Sequence, residues 1–445
     1  MMNNPRALAM QVLRRVLVDN AYSDLALDAA LNQSSLADND RRLVAELVYG
    51  VLRHLTYLDW RLGQVSHRPL EKMEHRVADA LRIGAYQLLF LDRIPPHAAV
   101  DEAVKLVPKR ASGLVNAVLR HLPRGEKSEH VPQLRDPYQA ASIRWSHPMW
   151  LVCALAQQFG DEQMAALLAA NQERPPLVLR VNEAKTDTTA LLQELIQWHP
   201  RAARYAPAGI AVDHLTQLDQ LPAFCAGLFL VQSEAAQIVA ELLGAHPGEV
   251  ILDVCAAPGG KTSYFAQMVA PVGQVYAVDI HPRRLRLLSQ NLKRLGINNV
   301  SLIQADASKD FVIKDDLRFD RVLVDAPCSA LGTLQKNPEI RWRLRPDDPA
   351  RLAQVQAAIL AQAARHVRPG GVLMYAVCTY TEDETDRVVE GFLATQPEFA
   401  LSDLREGLPP RYDIFMQDRG TLLSLPHRTG TEGFFAARFV RKENP

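Results

Sequence analysis

At 445 residues, 48% of them apolar, the chain exceeds one ordinary core and can fill two or three; no apolar run approaches the ~18 residues of a membrane span, and the start Met1-Met2-Asn3-Asn4-Pro5-Arg6 lacks a signal-peptide core, so a cytoplasmic protein without membrane attachment is expected. Five cysteines (Cys153, Cys225, Cys255, Cys328, Cys378), odd in number and without CxxC or Cys/His spacing, argue against a disulfide framework or a zinc site and leave free thiols. The formal net charge is zero, so any nucleic-acid contact must use local patches; residues 1–145 carry 20 Lys and Arg against 16 Asp and Glu, a mild excess.

From Pro5 to about Leu122 the apolar spacing is helical: Ala9, Val12, Leu13 and Val16 share one face, as do Leu43, Leu47, Val51 and Leu55. Pro95-Pro96 interrupts this pattern, and the charged stretch Pro123 to His130 ends it as a linker. An all-α bundle over 1–130 is therefore predicted. Residues 145–232 combine a helix from Trp150 to Phe159 with a strand-like Leu177–Val181, which reads as a small α+β domain.

The remainder, 233–445, alternates short apolar runs with helices, the pattern of a doubly wound, Rossmann-like α/β domain. The runs are Val250–Val254, Val275–Asp279, Val300–Gln304, Arg321–Asp325 and Val372–Val377. A helix from Pro282 stops at Gly296, and another from Pro349 to Val367 is expected to stop at Pro369-Gly370-Gly371.

After the first run come Cys255, Ala256, Ala257, Pro258, Gly259, Gly260 and Lys261. Small residues here let backbone N–H groups approach a ligand closely. Asp279 ends the second run at the position that accepts hydrogen bonds from ribose hydroxyls, and Asp306 follows the third on the same edge. A Walker A loop would need Gly where Cys255 stands, and the dinucleotide fingerprint G-x-G-x-x-G is absent. An adenosine-type ligand without a phosphate chain, such as S-adenosylmethionine, fits what remains.

Two further strand ends carry Asp325-Ala326-Pro327-Cys328-Ser329 and Cys378-Thr379-Tyr380. A lone cysteine at a strand end is more often a small buried core residue, but two on one functional edge point to chemistry. Carbon 5 of cytosine is a poor nucleophile until a soft thiolate adds to carbon 6. The charge that then develops at N3 calls for a carboxylic group, and Asp325 is suitably placed.

The segments Asp253–Lys261, Asp325–Ser329 and Tyr375–Cys378 resemble the RNA cytosine-5 methyltransferase family that includes nucleolar Nop2 and bacterial Fmu and Sun, over residues 230–445 and including the closing Glu432–Ala436. The resemblance implies S-adenosylmethionine as cofactor and no metal. It makes Cys378 the attacking nucleophile and Cys328 the cysteine that assists release. Cys255 to Lys261 become the cofactor loop, with Asp279 on the ribose, Asp306 at the adenine end, Asp325 on the cytosine near the methyl donor and Lys261 facing the active centre, where it orients either Asp325 or the base. The family usually carries Thr-Cys-Ser where this chain has Val377-Cys378-Thr379, and often Gly at Ala330. DNA cytosine-5 enzymes use a Pro-Cys nucleophile, which keeps Pro327-Cys328 as the rival assignment.

The amino-terminal helices, through Glu46–Arg53 and Asn116–Arg120, resemble the NusB domain. This implies an enzyme acting on 16S ribosomal RNA, or a small-subunit assembly intermediate, at cytosine 967, and a monomer is expected. Such a base must be looped or flipped out to be attacked. Arg41, Arg42, Arg53, Lys109, Arg110, Arg120, Lys336, Arg341 and Arg343 are candidate phosphate contacts, with Pro338 and Trp342 as candidate base-pocket residues. The rival functions are a non-enzymatic RNA-binding assembly factor and a methyltransferase acting on DNA or another RNA.

Overall fold

The computed structural model describes residues 4–122, 134–213, 215, 218–311, 313, 317–406 and 409–443, so the linker expected at Pro123 to His130 lies outside the described residues apart from its neighbour Leu122. The chain packs as two compact units: Met1–Glu173 with Leu334–Pro346, and Arg174–Thr333 with Asp347–Pro445.

The first unit is helical, as the periodicity predicts. Its opening helix, Pro5–Leu17, is capped by Asn4, whose side chain accepts from the N–H groups of Arg6 and Ala7. The apolar faces of this helix and of Asp38–Arg53, His75–Phe90 and Lys109–His121 close on one another around Val12, Leu47, Leu81 and Leu119, all fully buried. Pro96 does not break a helix but opens one, Pro96–Lys105, at the first turn, where its missing N–H costs nothing.

The segment Leu334–Pro346 is built into this unit. Arg341, with no exposed surface, donates to the carbonyls of Ser146 (3.1 Å), Asn171 (3.3 Å), Leu334 (3.4 Å) and Trp145 (3.5 Å). Glu339 accepts from the Ser23 hydroxyl at 2.8 Å, and the Trp342 indole donates to Leu52 O at 2.8 Å. Arg341 is therefore not a phosphate contact: its charge is spent on buried carbonyls. Trp342 and the buried Pro338 likewise belong to the packing of this unit. Arg341→Met, which leaves those carbonyls without their donor, is expected to destabilise this unit by about 3 kcal/mol in urea unfolding.

The second unit holds two sheets. The smaller runs in the order β2-β3-β1-β4, all antiparallel: β1 is Leu177–Val181, β2 Arg201–Ala202, β3 Gly209–Val212 and β4 Phe229–Val231. The larger is made of β5 (Val250–Val254), β6 (Gln274–Asp279), β7 (Val300–Gln304), β8 (Phe319–Asp325), β9 (Val367–Val377), β10 (Phe399–Ser402), β11 (Leu422–Ser424) and β12 (Phe434–Arg441). Its order is β10-β12-β9-β8-β5-β6-β7, with β11 on β12 and the run from β9 to β7 parallel. Both faces are covered: Val322, Val324 and Tyr375 point into one core, Ile251, Leu323 and Met374 into another.

The helix after Pro282 ends at Leu295 with Gly296 in the left-handed conformation, as read from sequence. The later one differs. It spans Asp348–Ala364, and β9 already begins at Val367, so Pro369-Gly370-Gly371 is no helix stop. Those residues form an irregularity within β9, where Phe319 pairs with Val367 but Arg321 with Val372. Gly370, at φ 70°, makes the kink possible.

Because β5 has β6 on one side and β8 on the other, the chain reverses its winding at β5. The carboxyl ends of β5 and β8 therefore flank a crevice, where open α/β sheets bind ligands.

Candidate active site

The loop leaving β5 is tightly prescribed. Cys255 stands at φ 64° and Gly259 at φ 100°, and a Cβ on Gly259 would lie 2.7 Å from Leu288 Cγ, so glycine alone lets the loop close onto the helix Pro282–Leu295. Ala256 N–H donates to Val278 O at 3.0 Å, and Ala257 N–H to Asp279 Oδ2 at 3.2 Å. The other Asp279 oxygen accepts from His281 N–H at 2.9 Å. The loop and Asp279 thus form one assembly. Asp306 follows Ala305, whose N–H donates to Asp279 O at 3.2 Å; its carboxylate accepts from the Ser308 hydroxyl (2.6 Å) and pairs with Lys309 (3.0 Å), and the Ser308 bond holds it below the ordinary range.

Beneath the loop, Asp253 at the end of β5 is buried. Its Oδ2 accepts from Thr262 at 2.6 Å, while Oδ1 has no hydrogen-bond partner among the described residues. Burial, opposed by the Thr262 bond and reinforced by Asp325, pushes its carboxyl up to about 7. Sequence inspection passed over this residue, since an aspartate inside a strand run reads only as part of the loop motif.

The remaining pieces converge from β8 and β9. Lys261 Nζ, buried, lies 2.6 Å from Asp325 Oδ2 and 5.1 Å from the ring centre of Phe434. Burial works against the lysine's charge, but Asp325, then Asp253 and Cys378, overcome it and hold the ammonium above its usual range. Cys328 and Cys378 face each other with sulfurs 3.3 Å apart. The hydrogen bond to Cys378, then burial, raises the Cys328 thiol well above the ordinary value, so it rests neutral. Burial does the same for Cys255. Ala330 has φ 56°, which explains in backbone terms why glycine is the usual family residue there. Gly332 N–H donates to Cys378 O at 3.0 Å, joining the two cysteine loops.

Of the residues predicted from sequence, the structure brings together Lys261, Asp325, Cys328 and Cys378, and separately the Cys255–Gly260 loop with Asp279. Asp253 and Glu384 were missed. Glu384 is fully buried and accepts from Ser329 N–H at 2.7 Å, in an acidic run that reads as solvated surface.

With its unpartnered Oδ1 turned to a cationic ligand, the Asp253 carboxyl titrates visibly in binding. A folded-state carboxyl raised from ~4 to about 7 binds its proton more tightly than the unfolded chain does, so ligand-free stability falls as pH rises from ~4 through 7, by at most ~4 kcal/mol. Affinity for a cation rises over the same range near 7, as the carboxylate ionises. Asp253→Asn is expected to flatten both profiles in thermal unfolding and in calorimetric titration with S-adenosylmethionine.

A doubly wound sheet with a glycine loop, a ribose-range aspartate and a thiol pair at its carboxyl edge defines a methyltransferase of the Rossmann-like class. Comparison with known proteins gives the family. Residues 240–440 match the 16S rRNA methyltransferase RsmB/F model, residues 3–124 the NusB family, and residues 147–219 the RsmF/B-like ferredoxin-like domain. The ribosomal RNA small subunit methyltransferase B of Cronobacter sakazakii is 34% identical, and that of Salmonella newport 35%, each alignment covering 99% of both chains. Among solved structures, PH0851 covers 100% of both chains at TM-score 0.81 and 27% identity. A methyltransferase homolog from Pyrococcus horikoshii covers 69% of this chain and 100% of its own, at TM-score 0.58 and 27% identity.

The chain belongs to the 16S rRNA methyltransferase RsmB/F family. It is a ribosomal RNA cytosine-5 methyltransferase that uses S-adenosylmethionine. No helix among the described residues is long and apolar enough to cross a membrane.

Proposed function

We propose that this enzyme methylates carbon 5 of cytosine 967 in 16S ribosomal RNA, free or within a small-subunit assembly intermediate, through a covalent bond between Cys378 Sγ and carbon 6 of the base. The observation that carries this reading is the pair of thiols 3.3 Å apart beside the Lys261–Asp325 ion pair, at the carboxyl edge of the sheet. We also infer a monomeric cytoplasmic protein whose 1–130, 145–232 and 233–445 segments act as RNA-binding, intermediate and catalytic domains.

The loop Cys255–Lys261, Asp279, Asp306 and Asp325 would hold S-adenosylmethionine, and the unpartnered Oδ1 of Asp253 gives a place for one of its positive charges. The cofactor supplies an electrophilic methyl group. The chain's own residues do the rest. Cys378 as thiolate adds to carbon 6, and N3 takes up the proton that the Lys261–Asp325 pair holds between its ammonium and its carboxyl, Asp325 handing it to the base and Lys261 supplying it. Once carbon 5 carries both its proton and the methyl group, a base removes that proton, the carbon 6–sulfur bond breaks, and Cys378 departs as thiolate. Cys328, neutral at rest, is within reach to protonate that sulfur.

The exposed Arg42, Lys109 and Arg120 remain as candidate phosphate contacts on the helical unit. Arg110, also exposed, already pairs with Glu74 at 2.7 Å. The test is transfer of labelled methyl groups from S-adenosylmethionine to unmodified 16S RNA, with the product mapped at nucleotide resolution. A single 5-methylcytosine at position 967 is expected. Label at another cytosine would move the target, and RNA binding without transfer would favour an assembly factor.

A further inference from the structure

Glu384 ends the short turn Glu382–Glu384 beyond Cys378 and has no exposed surface. Its two carboxylate oxygens collect donors from three parts of the chain. Oε1 accepts from Ser329 N–H at 2.7 Å and from Gln356 Nε2 at 3.0 Å. Oε2 accepts from the hydroxyls of Ser329 (2.5 Å), Thr381 (2.8 Å) and Thr379 (3.3 Å). Ser329 directly follows Cys328, and Thr379 directly follows Cys378. Gln356 also donates to Pro327 O at 3.0 Å and accepts from Tyr375 at 2.9 Å, so it braces the residue on the other side of Cys328.

A buried carboxylate is costly, and here all five donors are neutral. An apolar side chain would fill the same space without that cost, so the carboxylate is explained by what it joins. Resting on the assignment of Cys378 and Cys328 as nucleophile and release cysteine, we propose that Glu384 is a positioning residue: its carboxylate clamps the two cysteine loops together and sets the sulfur–sulfur distance across which a proton passes when the adduct resolves.

The chemistry of the donors discriminates between substitutions. In Glu384→Gln the amide oxygen can still take Ser329 N–H and Gln356, while the amide nitrogen donates to hydroxyls that turn to accept. In Glu384→Ala all five carboxylate hydrogen bonds are lost, and the loops keep only the Ser329–Thr379 hydroxyl contact at 2.9 Å and the Gly332 N–H to Cys378 O bond at 3.0 Å. The direct measure of the clamp is how fast diamide, a thiol oxidant, converts the Cys328 and Cys378 thiols into a disulfide, two electrons and two protons passing to its azo group. Full-length protein is used, with free Cys153 and Cys225 replaced by Ser.

Glu384→Ala is expected to slow disulfide formation at least tenfold and to lower kcat for methyl transfer at least tenfold with KM for RNA within threefold, while Glu384→Gln restores both to within about threefold. Should Glu384→Ala fail to fold, the pair Ser329→Ala with Thr379→Val removes the two hydroxyl bonds from the cysteine loops while keeping the Ser329 N–H bond to Oε1, and should slow disulfide formation about threefold. Unchanged oxidation rates in folded variants would overturn the clamp even if methyl transfer fell. Conversely, loss of the expected phenotypes of Cys378→Ala and Cys328→Ala would overturn the cysteine assignment while leaving the oxidation result standing.

Discussion

Cys328→Ala is expected to leave the enzyme fastened to its RNA after about one turnover, visible as a denaturation-resistant protein–RNA band. At 3.3 Å the Cys328 thiol is in hydrogen-bond contact with the Cys378 sulfur, and its proton is held firmly by that contact and by burial. Addition of Cys378 to the base needs no help from such a neighbour. Departure does, because a thiolate expelled into a buried pocket is a poor leaving group until it is protonated. Removing Cys328 therefore spares bond formation and first methyl transfer but stalls release. Cys378→Ala should behave oppositely, losing at least about a thousandfold in rate and yielding no adduct, as expected when the nucleophile itself is removed. If Cys328→Ala loses the adduct and Cys378→Ala accumulates it, the roles are exchanged and the Pro-Cys assignment stands.

Lys261→Met should lower single-turnover methyl transfer by about a hundredfold to a thousandfold, the scale of removing one preorganised electrostatic group from a buried site. Its ammonium lies 2.6 Å from Asp325 and in the field of Cys378, so a single cation serves both the carboxyl that meets N3 and the attacking sulfur. Methionine fills the volume against Phe434 but supplies no charge. Cofactor affinity, measured separately by calorimetry, should change much less. An equal loss in both would mean that Lys261 acts on the cofactor instead.

How far the sequence carried depended on whether a residue's partners were near in the chain. The strands β5 to β8 were legible because a parallel sheet covered on both faces reads as short apolar runs, and Gly259 because a tight strand-to-helix turn demands it. Arg341 was misread because a basic residue after a catalytic motif looks like an RNA contact. Its burial is decided by carbonyls at Ser146 and Asn171, which no local pattern reveals. The start of β9 was hidden by Pro369-Gly370-Gly371, residues that stop a helix or kink a strand equally well. Glu384 was hidden in the acidic run Glu382-Asp383-Glu384; it becomes a buried group through Ser329 and Gln356, distant in the chain, which donate to its carboxylate. Ala330 shows the reverse. The departure from glycine was noticed in the sequence, and its meaning, a left-handed backbone at φ 56°, came with the structure.

The composition of the first unit from Met1–Glu173 and Leu334–Pro346 also orders events at the ribosome. Translation runs from the amino terminus, so the helical unit leaves the exit tunnel long before the segment that supplies the Arg341 guanidinium to its carbonyls and the Glu339 carboxylate to Ser23. Until residue 346 has been made, those buried groups wait for their partners. The amino-terminal helices are thus synthesised well before residues 334–346 but cannot be finished without them, and a fragment ending at residue 173 should be purified only as a loosened, protease-sensitive version of the unit.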